Sequence, residues 1–249
     1  MERGRVAIVT GATSGIGRAI AIGMARAGYK VMACGRRRER LAETVELTGG
    51  YDITTMRCDI ADHSAVKALV AETQAVFGRI DILVNNAART PPEMTFGDID
   101  PLEWRATIGT NVNGTFYMAQ EVFKAMREQD PQGGRIINNG AVDAHSPRPL
   151  QAPLTTSKHA MTGLTKAIMM DGRFYNIVCS QIDMGNVRTD MGRAWLDNAL
   201  QADGTREQEP VFGMQHAVNT VLHIAGLPLD TNIPFVTLTP SMMPYIGRG

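Results

Sequence analysis

Cysteine is scarce and scattered in this 249-residue chain: Cys34, Cys58 and Cys179 are odd in number and never stand as C-x-x-C. That usage argues against a disulfide framework and leaves buried thiols at strand ends as the plain reading. The five histidines make no H-E-x-x-H or similar spacing, so no metal site is expected. Neither sign of charge is in excess, with 25 basic against 25 acidic residues, so the chain has no electrostatic footprint for nucleic acid or an acidic membrane. No apolar run reaches the roughly 18 residues that a spanning helix needs. Internal repeats and low-complexity tracts are missing too. A strand pattern starts as early as Arg5, which leaves no room for a signal or transit peptide and makes a cytoplasmic location the expectation. The length fits a single domain over residues 1–249.

What is present alternates. Arg5–Thr10 reads as a short apolar strand that ends in Gly11-Ala-Thr-Ser-Gly15-Ile-Gly17. A helix follows, with Ile16, Ile20, Met24 and Ala27 at helical spacing and Gly28 as its stop. Strand, glycine turn and helix present backbone N–H groups and a helix N-terminus to a pyrophosphate. A tight turn without ligand is the alternative, and glycines spaced by four and then two residues favour the ligand. Further strands are expected at Lys30–Gly35, Ile53–Cys58, Asp81–Val84, Gly134 onward, Asn176–Ile182 and Pro234–Leu238. Asp62 reads as the N-cap of a helix through Phe77, and Asp100-Pro101 opens a long helix to about Gln129. Helices are also expected at Pro153–Asp171 and Val211–Gly226. Strands alternating with helices throughout imply an α/β, Rossmann-type, doubly wound parallel sheet flanked by helices.

Where such a fold meets the adenosine ribose, an acidic residue would accept from a free 2′-hydroxyl. This chain has Gly35 and then Arg36, Arg37, Arg38 and Arg40, a small residue and guanidinium groups that suit a 2′-phosphate. NADP(H) is therefore favoured over NAD(H), although some of these arginines are simply a solvated helix start. Asp59 stands where it would reach the adenine edge. Residues 185–210 are polar and without clear period, and are expected to form a substrate lid, with 240–249 as a C-terminal tail.

Together these features resemble the short-chain dehydrogenase/reductase family over nearly the whole chain. Thr10-Gly11-x-x-x-Gly15-Ile16-Gly17 is similar to its cofactor motif. Asn85-Asn86-Ala87 resembles its N-N-A-G signature, with Ala88 in place of Gly, and Asn111 stands where the family keeps an Asn. Met184-Gly185-x-Val187-x-Thr189 resembles the segment that holds the nicotinamide carboxamide, with Met184 in place of Pro. The resemblance implies cofactor contacts from Gly11, Thr13, Ser14, Gly15, Ile16, Gly17, Arg36, Arg37, Asp59, Ile60, Asn86, Ala87, Lys158, Gly185, Val187 and Thr189. It also implies a homotetramer or homodimer packed through the helices of Asn111 and Lys158, or a hetero-oligomer with an active homologue.

The family's reaction uses Ser, Tyr and Lys, with Tyr four residues before Lys and Ser thirteen before Tyr. Lys158 is present, but Leu154 and Ala141 occupy the other two positions. Loss of a general acid costs about 10²–10⁴ in rate and loss of an oxyanion donor roughly 10²–10³, and the two do not add. The remaining candidates for catalysis are Asn111, Lys158, Asp143 and His145. Asp143 caps the next loop in the plain reading, with His145 packed under Pro147; alternatively the pair supplies a proton, a base or a negative charge. Lys158 nearby would hold Asp143 ionised, which argues against its donating a proton. Thr155 is turned about 100° from Leu154 around the helix.

Four uses of such a site stand open. It transfers hydride from NADPH to a small carbonyl or, better suited to Leu154, to an iminium-type acceptor. It runs non-redox chemistry, or it is a cofactor-binding subunit without activity. Alternatively, Ala141 and Leu154 are engineered changes in an ordinary reductase.

Overall fold

Seven parallel strands form the centre of the molecule in this computed structural model, which describes residues 4–189 and 196–246. Parts of the expected lid (190–195) and tail (247–249) lie outside the described residues. The strands of the sheet are β1 (Val6–Thr10), β2 (Lys30–Gly35), β3 (Ile53–Arg57), β4 (Ile82–Asn85), β5 (Gly134–Asn139), β6 (Ile177–Met184) and β9 (Phe235–Leu238). Their order across it is β3-β2-β1-β4-β5-β6-β9. A two-stranded antiparallel hairpin, β7 (Ala199–Leu200) and β8 (Arg206–Glu207), stands apart from the sheet.

Successive side chains of a strand face opposite ways, so a sheet covered on both faces must be apolar throughout. Ala7, Val9, Val31, Ala33, Ile82, Val84 and Ile182 share one core with Ile20 and Met24 of α1 (Gly15–Arg26) and Val218 and Val221 of α7 (Met214–Gly226). Ile8, Met32, Leu83, Ile136 and Cys179 share the other core. It is completed by Leu69 of α3 (His63–Phe77), Met118 and Val122 of α5 (Thr115–Glu128) and Ile168 of α6 (Ala152–Gly172). Each such aliphatic burial contributes about 1.5–3 kcal/mol. All three cysteines are buried, and burial pushes the Cys179 thiol up to about 12, which leaves it protonated and inert.

The helix ends follow their residues. Asp62 accepts from the N–H groups of Ser64 and Ala65 at the start of α3. Asp100 accepts from Leu102 N–H at the start of α4 (Pro101–Ile108). Gly49 and Gly78 end α2 (Arg38–Thr48) and α3 in the left-handed conformation. One expectation changes: residues 100–129 are not a single regular helix. The path from α4 to α5 passes through a π-helical segment, Gly109–Gly114, which contains Asn111. Ile60 is packed so closely on Gly114 that a Cβ there would lie 2.7 Å from its side chain. The last long helix begins at Met214 rather than Val211, because residues 210–212 run beside 186–188 in a short bridge instead.

Candidate active site

Strand order reverses direction between β1 and β4, and in open α/β sheets the ligand crevice lies at such a point, beyond the carboxyl ends of the strands. The glycines are set for close approach. Gly11 has a φ of 69° and Gly15 one of 53°. A Cβ on Gly17 would lie 2.3 Å from Asn86 Nδ2 and 2.4 Å from the Gly11 carbonyl. Ser14, the N-cap of α1, makes no side-chain cap, so the first-turn N–H groups are left to a ligand. Ile16 follows in that turn, half-buried against the α1 core.

A hydrogen-bonded chain crosses the strand ends. Thr10 Oγ1 accepts from the backbone N–H groups of Asn86 (2.9 Å) and Ala87 (3.0 Å), which joins β1 to the exit of β4. Asn139 Nδ2 donates to Asn86 Oδ1 at 3.0 Å, and Lys158 Nζ donates to the Asn139 carbonyl at 2.8 Å. Burial draws the Lys158 ammonium down to about 8, against the opposing charges of Asp183 and Asp143. An ammonium has three donors, and Lys158 spends one on Asn139. Asn139 Oδ1 is buried without a hydrogen-bond partner. Spare donors beside an orphaned acceptor fit the ribose hydroxyls of a dinucleotide, and the glycine cradle fits its phosphate oxygens. Lys158, Asn86, Ala87 and the Gly11–Gly17 loop are the residues that would hold it.

At the adenosine end, Arg37 Nη2 donates to Thr13 Oγ1 at 2.8 Å and to Ser14 Oγ at 3.0 Å, bringing a guanidinium onto the glycine loop. Arg36 is exposed beside it, and its carbonyl accepts from Arg57 Nε at 3.1 Å. Asp59 Oδ1 accepts from Ala61 N–H, and Ile60 is buried against Gly114.

Asn111 is wholly occupied. Its Oδ1 accepts from Arg89 N–H at 2.7 Å, and its Nδ2 donates to the Arg89 carbonyl and to Ser157 Oγ, each at 3.0 Å. It therefore positions the loop after β4 against α6.

On the substrate side, Ala141 stands two residues beyond β5 as the N-cap of a short 3-10 turn, Val142–Ala144, which packs on α6. Leu154 lies half-buried one turn before Lys158. Asp143 Oδ1 lies 3.2 Å from Arg148 Nε, an ion pair whose atoms are not aligned as a hydrogen bond. His145 is not packed under Pro147. Its Nε2 meets the buried Asp183 Oδ2 at 3.0 Å, and the ring is otherwise exposed. Gln151 Oε1, at the N-cap of α6, and Thr155 Oγ1, in its first turn, are buried without hydrogen-bond partners.

Sequence reasoning missed the centre of this region. Arg148 and Glu209 are both buried, and they form a two-bonded pair at 2.9 and 3.2 Å. Asn186 bridges them, accepting from Arg148 Nη2 at 3.1 Å and donating to Glu209 Oε2 at 2.9 Å. Asn186 stands between Gly185 and Val187, two of the expected cofactor contacts, and Thr189 follows. The expected lid over 185–210 contains the β7–β8 hairpin among its described residues, and Arg206 of that hairpin pairs with Glu93 at 2.6 Å. A cavity of about 360 Å³ lies against Arg188, Thr189, Leu196, Gln208 and Glu209. A larger one, about 730 Å³, opens at the opposite end of the strands among Arg5, Arg79, Asp81 and Gly133, far from the topological switch point.

Order of strands, glycine cradle and switch-point crevice define a dinucleotide-binding α/β protein. A profile of the short chain dehydrogenase family matches residues 5–199, and the chain belongs to the short-chain dehydrogenase/reductase family. A 3beta-hydroxysteroid dehydrogenase of Mediterraneibacter gnavus is 40% identical, with 94% of this chain and 95% of that protein covered. An acetoacetyl-CoA reductase of Shinella zoogloeoides is 36% identical over 79% of each chain. The crystal structure of a single-residue variant of actinorhodin polyketide ketoreductase with NADPH superposes with a TM-score of 0.84 at 26% identity, covering 96% of this chain and 97% of that one. Among the described residues, no helix is long and apolar enough to cross a membrane, and no three His, Cys, Asp or Glu side chains are grouped to hold a metal.

Proposed function

We propose that this chain is an NADP(H)-dependent oxidoreductase whose preferred acceptor needs no proton from the enzyme, an iminium carbon rather than an ordinary ketone. The observation that carries this reading is Leu154 one turn before Lys158, with the nearby carboxylates and His145 already engaged. Asp143 pairs with Arg148, His145 with Asp183, and Glu209 with Arg148. Ala141 removes the hydroxyl that would polarise a carbonyl oxygen. Three carboxylates, Asp143, Asp183 and Glu209, face the cations Arg148 and Lys158. That excess of negative charge suits an acceptor that arrives positively charged.

When bound, the reduced nicotinamide supplies the hydride. The chain's own part is to hold and orient: Arg37 and Arg36 favour a 2′-phosphate, Lys158 offers donors to sugar hydroxyls, and the buried ends of β4, β5 and β6 exclude water. A small-molecule substrate is the partner this reading requires. The exposed apolar residues of α4, α5 and α6 support assembly with further copies of the chain.

A second reading is favoured by the relatives, two of which carry ketone or hydroxysteroid chemistry in their names. One experiment separates the two. NADPH consumption, followed at about 340 nm, is measured for the wild-type chain and for Ala141→Ser with Leu154→Tyr against matched imines and ketones. Wild-type turnover of imines with ketones inert supports the proposal, and the double variant should then gain ketone reduction by about 10²-fold or more. A wild-type chain that reduces ketones as fast as the double variant would sink it.

A further inference from the structure

We infer that the buried Arg148–Glu209 pair is a positioning latch that fixes the 185–189 segment for the nicotinamide end of the cofactor, an inference that rests on the NADP(H) reading above. Three stretches far apart in sequence meet at this pair. Arg148 belongs to the loop between β5 and α6, and its Nη1 and Nη2 meet Glu209 Oε1 and Oε2. Glu209 closes the segment that carries the β7–β8 hairpin and also accepts from Gln201 Nε2 at 3.0 Å. Asn186 belongs to the segment after β6 and bonds to both members of the pair.

The backbone repeats the same connection. Asn186 Nδ2 donates to the Pro210 carbonyl at 3.0 Å. Phe212 N–H donates to the Asn186 carbonyl at 3.0 Å, and Arg188 N–H donates to the Phe212 carbonyl at 2.9 Å. Residues 186–188 therefore hang on 209–212, and 209 hangs on Arg148. On the other side of the guanidinium, Asp143 ties the same cation to the turn after Ala141. A buried bidentate pair is a fixed geometry, since neither partner can turn without stranding a desolvated charge. Arg37 is bonded to the glycine loop through Thr13 and Ser14, a set of contacts other than the Asn186–Glu209–Arg148 connection.

That division supplies the test. NADPH and 2′,5′-ADP share the adenosine end, but only NADPH reaches residues 185–189. Affinities of both are measured for the wild-type chain, for Glu209→Gln, and for Arg148→Met with Glu209→Met, in which two apolar side chains replace the whole pair without leaving a lone charge. NADPH should weaken about tenfold in the double variant, while 2′,5′-ADP stays within about twofold. Glu209→Gln keeps the volume and should show the same imbalance at smaller size. Equal losses for both ligands, or unchanged NADPH binding in folded protein of either variant, would overturn the latch alone. A wild-type chain that binds neither ligand would overturn the cofactor reading and the latch with it.

Discussion

Glu209 shows how one residue can be decisive in the fold and silent in the sequence. Burial alone would push its carboxyl up, but Arg148, Gln201 and Asn186 outweigh burial and bring it down to about 2 from the ordinary 4.5. A carboxyl whose folded value lies below its unfolded value stabilises the fold above the unfolded value, and that contribution fades as pH falls toward the folded one. Urea unfolding between about pH 5 and pH 2.5 should therefore show a steep loss of stability in the wild type and a shallower one in Glu209→Gln. Parallel profiles would mean that Glu209 is not held ionised by its partners. Nothing local announces the pair, since Arg148 and Glu209 are 61 residues apart and each reads as an ordinary loop charge. Asp143 and His145, by contrast, were legible as site candidates from their distance to Ala141. Their partners, Arg148 and Asp183, were not, because only the packing of separate strand ends and loops brings those groups together.

At the scale of elements, the glycine loop and strand pattern were readable because backbone demands leave marks in local sequence. A glycine at a φ of 69° or beneath a crossing carbonyl has few substitutes. The π-helical segment left no such mark. Residues 100–129 keep helical character throughout, and the extra residue per turn coincides with long-range contacts, Ile60 packed on Gly114 and Asn111 bonded to both Arg89 and Ser157. Gly17 offers the sharpest test of the crevice. A methyl there would sit 2.4 Å from the Gly11 carbonyl and 2.3 Å from Asn86 Nδ2, so the strand–helix turn must open. Gly17→Ala should lower the stability by about 1–3 kcal/mol, as overpacking does, and abolish measurable NADPH binding at cofactor levels that saturate the wild type. Retained affinity would show that the loop yields without disturbing the site.

The whole molecule presents apolar residues on one set of helices. Leu102 and Trp104 of α4, Phe116 of α5, Met170 near the end of α6 and Phe174 just beyond it are exposed, Phe174 by 80%. Scattered surface apolars need no explanation, but a group on neighbouring helices leads us to predict an interaction face here. Phe123 of α5 stacks edge-on against Tyr175 beside Phe174, ring centres 5.9 Å apart, which ties α5 to the turn after α6. Light scattering on the purified chain should therefore give a dimer or tetramer of the 27.0 kDa subunit. Met170→Ser with Phe174→Ser should move the population toward monomer, because two large apolar side chains contribute about 3–6 kcal/mol per copy when fully covered. A wild-type chain that stays at 27.0 kDa at micromolar concentration would count against self-assembly through this face.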